Sequence, residues 1–457
     1  MFTDAVLASG DLAWGIVGAG TVSDKTKRAL APQDGLYTLV ETAADSRRLR
    51  VIGAIIDVLG GPEDLPALLE RMSAPTTRIV SLTVTEKGYC LDAATGELQL
   101  DAPAIARDLV HPLAPQTILG LIVQALGRRR AAGTPPFTVL SCDNLPSNGR
   151  LARAAVVAFA RRLDPALADW IDAEVAFPCT MVDRITPATT DADRACVSAE
   201  IGLEDAWPVV AEDFAQWVIE DCFTMGRPDW SICGAVFSDE IERWENMKLR
   251  CLNGAHSALA YLGQLAGRET VADAMDDPVI TGVLDRLWAE VREVLHAPRD
   301  VDTAQYVESL KKRFRNGSIR HRTAQIAMDG SQKLPQRLLA PLRDRIAQGL
   351  PSPAIATAIA AWMHYVSARA HGDGDLADPL GAEILERARL DRAPARCVEN
   401  LLAIQEIFGA DLPANAQFRD ELVAAFVELA RHPNFATAHG PRADQAAASS
   451  SETEQTP

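Results

Sequence analysis

The chain has 457 residues, 48% of them hydrophobic, 23% charged and only 5% aromatic, a length that suggests two or three domains each able to bury a core. Its 45 Lys+Arg against 62 Asp+Glu give a formal net charge of −17, which excludes nucleic-acid or anionic-membrane binding unless a local basic patch intervenes. The short basic runs at residues 128–130 and 311–313 read as solvated helix faces, not as such a patch.

The N-terminal stretch has no basic region and carries Asp4 and Asp11 in its apolar part, which excludes a secretory signal. Short apolar or β-branched runs then recur at residues 12–17, 50–58, 77–84 and 136–142, with a weaker one at 174–177. Helical periods at 114–129 and 151–163 lie between them. Strands alternating with helices predict βαβ units and a mainly parallel sheet, with ligands at the C-terminal ends of the strands. From about residue 239 the character changes. Asp239 with Glu242 three residues later marks a helix start, and helical periods follow at 239–265, 283–295, 303–314, 335–346 and 354–370, then on to about 430. The fold class is therefore α/β followed by a mostly α-helical domain, with bounds 1–238 and 239–440. Residues 441–457 lack bulky apolar side chains and are predicted to be disordered. The apolar stretch at 354–366 is too short for a membrane span of about 20 residues. Eight scattered cysteines without a CxxC pair, and histidines without HExxH or HxxxH, point to a reduced, soluble, cytoplasmic protein with no metal site.

The densest chemistry lies between Trp244 and Ser257. On a helix turning about 100° per residue, Asn253 falls about 140° and His256 about 80° from Lys248, so a lysine, an amide and an imidazole share one side. Met247, Leu249, Cys251, Leu252 and Ala255 surround them, which would desolvate the ammonium, lower its pKa and fit it for general acid–base work. A partly exposed helix carrying a satisfied histidine explains the same spacing. Asn144 follows an apolar run and precedes a helix, placing it at a strand's C-terminal end or in an Asx-type turn. Asp183 and Arg184 lie between apolar residues and Pro187, as a site pair or as a surface ion pair.

Residues 142–149, 181–187 and 248–257, the last with the pattern K-x-x-x-x-N-x-x-H, together resemble the mannitol dehydrogenase and fructuronate reductase family of polyol-specific long-chain dehydrogenases. Residues 83–89 and 329–335 are also similar to family segments, and the resemblance extends from about residue 12 to 430. It implies a Rossmann-like dinucleotide-binding domain over 1–238 and a helical substrate and catalytic domain over 239–440. The implied reaction is a metal-free hydride transfer between NAD or NADP and a secondary alcohol or ketone. The implied partners are small molecules only: an open-chain sugar alcohol, ketose or sugar acid, with mannitol/fructose and mannonate/fructuronate as leading pairs. Lys248 would be the general acid/base, and Asn144 and Asn253 would donate to the developing alkoxide. His256 would orient a substrate hydroxyl or the lysine. Asp183 and Lys333 would bind further hydroxyl or carboxylate groups, and Arg337 could supply a second cation for a carboxylate. Glu245 matches a glutamate that exchanges protons with solvent in similar enzymes, although an i,i+3 ion pair with Lys248 explains it equally well. Gly18, Gly20, Thr85 and Glu86 would lie on the cofactor side.

Two departures stand out. The family opens with a strand and a G-x-G-x-F-x-R-x-H-like phosphate loop, a segment this chain does not show; the substitute at residues 15–23 has Gly18 and Gly20 but Ser23 where a dinucleotide fingerprint has its third glycine. The order of the following segments makes this stretch look like the family's second strand, where ribose selectivity is set, so the chain is expected to be N-terminally incomplete. The second departure is Gln325, where family members often carry an arginine. The rival reading is a folded homologue with an incomplete cofactor site that acts as a binding or regulatory protein. The sequence leaves the choice between NAD and NADP, and the oligomeric state, open.

Overall fold

The computed structural model describes residues 1–43, 46–92, 95–318, 320–372 and 374–435. The tail expected to be disordered, 441–457, lies outside the described residues. The chain divides into two units, Met1–Glu245 and Asn246–Pro457.

In the first unit the described strands are β1 (Ile16–Gly20), β2 (Tyr37–Thr42), β3 (Arg47–Ile52), β4 (Ile55–Gly60), β5 (Ile79–Leu82), β6 (Thr138–Ser141), β7 (Thr180–Asp183), β8 (Val209–Glu212), β9 (Gln216–Ile219) and β10 (Val236–Phe237). Pairing is mainly parallel: β1 with β4, β2 with β8, β5 with β6 and β9 with β10. Antiparallel pairs join β2 to β3 and β7 to β9. The apolar run at 50–58 is not one strand but the end of β3 and the start of β4. The chain breaks at Gly53, whose amide leaves the ladder to bond the Asp4 carboxylate at 2.8 Å. Residues 174–177 form no strand, yet the Ala176 carbonyl still accepts from Val139 at 3.0 Å and so extends the edge of β6 by one bond.

The helices Leu65–Ser73, Ile118–Ala131 and Asn148–Leu163 bury their apolar faces with β5 and β6, around Leu119, Ile122, Leu126, Phe137, Val139, Val156 and Phe159. The middle helix starts where it does because Thr117 Oγ1 accepts from Gly120 N, while the buried Asp108 carboxylate collects the amides of Gln116 and Thr117. Its basic end departs from the solvated face that the sequence suggests. Arg128 and Arg130 are exposed, but Arg129 is fully buried and donates to the carbonyls of Pro135, Met72, Ala74 and Thr77 at 2.7–3.2 Å. Its guanidinium ties the turn before β5 and the entry to β6 to one helix end, fixing the relative height of the two strands that lead to Thr85 and to Asp143 and Asn144.

The second unit is helical. The helix Pro353–His371 is buried almost all round and packs with Gly254–Leu265, Pro278–Glu293 and Ala416–Arg431. An all-round apolar helix of this kind is a core helix. No helix of the described residues is long and apolar enough to cross a membrane. Ala356, Ala358, Ala360 and Ala361 allow close neighbours, and the Glu290 carboxylate closes the helix start by accepting the amides of Ala354 and Ile355 at 2.7 and 2.9 Å.

Replacing Arg129 with Met keeps the apolar stem and strands four buried carbonyls. At about 1–3 kcal/mol per stranded group with partial relaxation, the expected loss is about 3 kcal/mol of unfolding free energy. Urea denaturation checks this; a loss below about 1 kcal/mol would show that the carbonyls find other donors.

Candidate active site

In the first unit the site builds on the C-terminal ends of the paired strands β5 and β6. Asp143 and Asn144 follow β6, and Thr85 follows β5 within the short helix Thr85–Gly88. The Asp143 carboxylate accepts the Thr85 amide at 2.8 Å and the Tyr89 hydroxyl at 2.7 Å, and Tyr89 also meets Ser141 Oγ at 2.7 Å. Burial pushes the Tyr89 phenol well above its ordinary value, so it stays a donor. Thr85 sits at φ +63° and Ser147 at +48°, left-handed conformations that non-glycine residues hold only when their surroundings enforce them. The fully buried Asn148 supplies part of that enforcement. Its Nδ2 donates to the carbonyls of Asp143 and Thr180, and its Oδ1 accepts from Thr180 N. At Gly149 a Cβ would come within 2.5 Å of the carbonyl oxygens of Phe177 and Pro178, so the glycine allows the β6 helix to press against the chain entering β7.

Glu245 belongs to the helix Ile241–Met247, and its carboxylate accepts the Ser147 amide at 3.1–3.2 Å, which draws it to the Asn144 loop. Asp183 is the buried last residue of β7, in register with Gln216. Its neighbour Arg184 is no surface pair: it reaches the buried Glu41 at 2.9 Å and the Glu212 carbonyl at 2.8 Å. Gly18 and Gly20 lie in β1 opposite Val58 and Gly60 of β4. The helix Lys25–Leu30 follows, and with Gly60, Glu63 and Asp64 it walls a groove of about 340 Å³. Within that groove Lys27 pairs with Asp64 at 2.5 Å and Arg28 with Asp24 at 2.5 Å. The side chain of Glu86 lies outside what the structure describes.

In the second unit Lys248 and Asn253 are the first and last residues of a π-helical stretch, Lys248–Asn253. The α-helical phase of about 140° between them therefore does not apply, because each π turn closes five residues on instead of four and draws residue i+5 toward residue i. The carbonyls released from the α ladder are taken by side chains. Trp288 Nε1 donates to the Cys251 carbonyl at 2.9 Å, and Arg337 Nη1 approaches the Asn253 carbonyl at 3.4 Å. A second π stretch, Pro335–Leu339, carries Arg337, and there Pro335 removes one helical donor. The two stretches meet at Gly254, where a Cβ would stand 3.0 Å from the Arg337 carbonyl. Arg250 ties the first stretch to Asp344 at 2.6 Å.

Lys248 is buried, 8% exposed, and His256 lies in the following helix, 7% exposed. The imidazole packs on Phe314 with ring centres 4.4 Å apart and the planes tilted by 31°, and it meets His321 edge-on at 5.2 Å. Burial pushes His256 well below its ordinary pKa, and the cations Arg337, Arg313 and Lys248 act in the same direction, so it is neutral near pH 7; burial lowers the neighbouring His321 too. His256 Nε2, Tyr261 OH and Arg337 Nε are buried without a hydrogen-bond partner. Lys333 is spent differently: its ammonium donates to the carbonyls of Ile326 and Met328 at 3.2 and 2.6 Å. Gln325 is exposed on the short helix Thr323–Ile326. The described residues hold no group of three or more His, Cys, Asp or Glu side chains placed for a metal ion.

Sequence reasoning missed Asp143, Tyr89, Asn148, Tyr261 and the second π stretch. For the first π stretch a signal existed: the spacing K-x-x-x-x-N equals the hydrogen-bond span of a π turn.

Residues 2–232 match the mannitol dehydrogenase Rossmann domain and residues 240–430 the mannitol dehydrogenase C-terminal domain. The chain is 43% identical over 436 residues to the D-mannonate oxidoreductase of Escherichia coli K12, covering 94% of this chain and 90% of that protein. It is 39% identical over 411 residues to the mannitol 2-dehydrogenase of Pyrenophora tritici-repentis, covering 88% and 71%. Among solved structures, the mannitol 2-dehydrogenase of Pseudomonas fluorescens in ternary complex with NAD and D-mannitol matches with TM-score 0.79 and 40% identity over 96% of this chain and 89% of that one. A substrate-free D-sorbitol dehydrogenase matches with TM-score 0.87 and 34% identity, covering 96% and 91%.

The neutral burial of His256 carries a pH signature. Below about pH 6.5 the unfolded imidazole takes up a proton that the folded one refuses, so stability is present above that value and is lost as pH falls toward the folded pKa. Replacing His256 with Asn should remove up to about 1.4 kcal/mol per pH unit from the slope of unfolding free energy between about pH 6.5 and 5. Urea titrations of both proteins read the difference; identical slopes would contradict it.

Proposed function

Since the chain belongs to the mannitol dehydrogenase family, we propose that it interconverts a secondary alcohol and a ketone on an open-chain polyol or hexonate, with a nicotinamide dinucleotide as redox partner and Lys248 as the proton carrier. The observation that carries this reading is the π-wound Lys248–Asn253 stretch with a neutral His256 one turn beyond it. When bound, the dinucleotide supplies or accepts the hydride.

The chain's own residues handle the oxygen and its proton. In oxidation the Lys248 amine takes the hydroxyl proton, and in reduction its ammonium returns it to the carbonyl oxygen. Burial helps because it keeps water from competing for that proton and strengthens every dipole aimed at the oxygen. The Asn253 carboxamide, whose backbone is clamped through Arg337, stabilises the developing negative charge without exchanging a proton. Asn144, on the loop that Asn148 and Asp143 hold, serves as a second amide donor. His256 donates or accepts as a neutral ring, and its unpartnered Nε2 suits a substrate hydroxyl. Glu245, anchored on the Ser147 amide, serves proton exchange with solvent. Asp183 takes further substrate groups, as does the one N–H of Lys333 that its two carbonyl bonds leave over.

For the cofactor, the groove beyond β1 fits a ribose diol. Its acids Asp24, Glu63 and Asp64 can accept hydroxyl donors, and its two cations are already paired. A ribose 2′-phosphate would meet carboxylates there instead of an available guanidinium, so NAD is preferred over NADP. Thr85 and Glu86, which follow β5 in the chain, serve the cofactor, and Gly18 and Gly20 lead into the groove along β1.

The decisive variant is Lys248→Ala. Turnover should fall by about 10²–10⁴-fold, while the dissociation constant for NADH stays within about twofold, since no step of cofactor binding uses the amine. Equal turnover in the variant would remove the lysine from the mechanism.

A further inference from the structure

A histidine buried for structure in this protein finds a partner: His364 Nε2 meets the Phe426 carbonyl at 2.7 Å while the imidazole stacks on the Phe426 ring. His256 and His321 differ. His256 Nε2 and His321 Nδ1 are both buried without a hydrogen-bond partner, and they belong to rings that meet edge-on with centres 5.2 Å apart. Burial holds both imidazoles below the ordinary histidine pKa, so near pH 7 each is neutral and offers one N–H and one lone pair.

Neither ring is loosely placed. The His321 backbone is held as in a strand: its carbonyl accepts the Val271 amide at 3.0 Å, and two residues on the Thr323 amide donates to the Glu269 carbonyl at 3.0 Å. His256 packs against both His321 and Phe314, and Phe314 in turn stacks on Trp288 with ring centres 6.2 Å apart. The Trp288 indole N–H is the donor that closes the Cys251 carbonyl of the first π stretch. A continuous row of rings therefore runs from the stretch that carries Lys248 and Asn253 to His321.

Two orphaned nitrogens on adjoining neutral rings define the group they lack. A hydroxyl both donates and accepts. With hydrogen bonds of about 2.7–3.0 Å on each side it spans up to about 6 Å between two nitrogens, a reach that suits rings 5.2 Å apart. A carboxylate oxygen only accepts and an ammonium only donates, so neither satisfies an N–H on one ring together with a lone pair on the other.

We infer that one secondary hydroxyl of the substrate bridges His256 Nε2 and His321 Nδ1, which makes His321 a second substrate-binding residue and sets the configuration accepted at that carbon. The inference rests on the alcohol–ketone oxidoreductase reading above, in which His256 meets a substrate hydroxyl, and adds the group on that hydroxyl's other side. One imidazole donates to the hydroxyl oxygen and the other accepts its proton. An epimer, with the hydroxyl turned away, leaves both nitrogens unpaired. His321 takes no part in proton transfer at the reacting oxygen.

The test uses the full chain with NADH or NADPH, D-fructose and D-fructuronate as parent substrates, and the monodeoxy analogues of whichever parent is turned over, one for each secondary hydroxyl. In the wild type the analogue lacking the bridged hydroxyl should lose at least about 100-fold in kcat/KM, because a site built to bond a hydroxyl rejects the analogue without it. In His321→Leu the parent should fall toward that analogue, and the other analogues should fall by the same factor as the parent. The one analogue should change by less than about threefold, since the partner of His321 is already gone. His321→Asn keeps a polar group near the Nδ1 position; it should show the same pattern at reduced size, and it carries the test if the leucine variant does not fold. Melting temperature and nucleotide affinity are read for each variant. An equal loss on every analogue, as a packing role or a bridging water would give, overturns the inference and leaves the oxidoreductase reading standing, and so does no loss at all. Turnover of neither parent by the wild type would overturn that reading itself.

Discussion

Winding a helix one residue wider than the α period releases carbonyls that must find other donors, and in the second unit the donors are specific side chains. Trp288 takes the Cys251 carbonyl, Arg337 approaches that of Asn253, and Arg250 braces the stretch on Asp344. The widened turn persists because these partners over-determine it. In return the first and last residues of the stretch, Lys248 and Asn253, come toward one another along the helix surface. An α-helix would have held them about 140° apart around its axis. Gly254 completes the arrangement by letting the second π stretch approach the first.

The electrostatics of the two units differ. The groove beyond β1 is lined by Asp24, Glu63 and Asp64, with Lys27 paired to Asp64 and Arg28 to Asp24. The cations Arg337, Arg313 and Lys248 act on His256. Burial, helped by those cations, holds the imidazole neutral, so it can accept as well as donate. Around Asp143 a buried carboxylate plays the structural counterpart: it holds the left-handed Thr85 and the Asn144 loop in register across β5 and β6.

Much of this was legible in the residues. Alternation of apolar runs with helical periods indicated the parallel α/β unit, the shift near residue 239 indicated the helical one, and K-x-x-x-x-N-x-x-H marked the lysine, amide and imidazole. What escaped has physical causes. A period of 100° per residue assumes α winding, so the relation of Lys248 to Asn253 was misjudged even though the five-residue spacing carried the clue. The run at 50–58 reads as one strand because nothing local announces that Gly53 bonds Asp4, 49 residues earlier. β7 to β10 have two to four residues each, too few for periodicity to register. Arg129 reads as one of three surface arginines because its carbonyl partners lie up to 57 residues away. The Asp143–Tyr89 bond spans 54 residues and is equally silent in the sequence.

The central claim is that Lys248 carries the proton at this site and does more than shape it. The most direct measurement is rescue of the Lys248→Ala protein by added primary amines of graded basicity, following NADH-dependent reduction of an open-chain keto substrate. The account predicts that turnover returns in proportion to amine concentration and varies with amine basicity, as expected for a transferred proton. A variant whose turnover does not respond to any amine, although it still binds NADH and melts as the parent does, would contradict it.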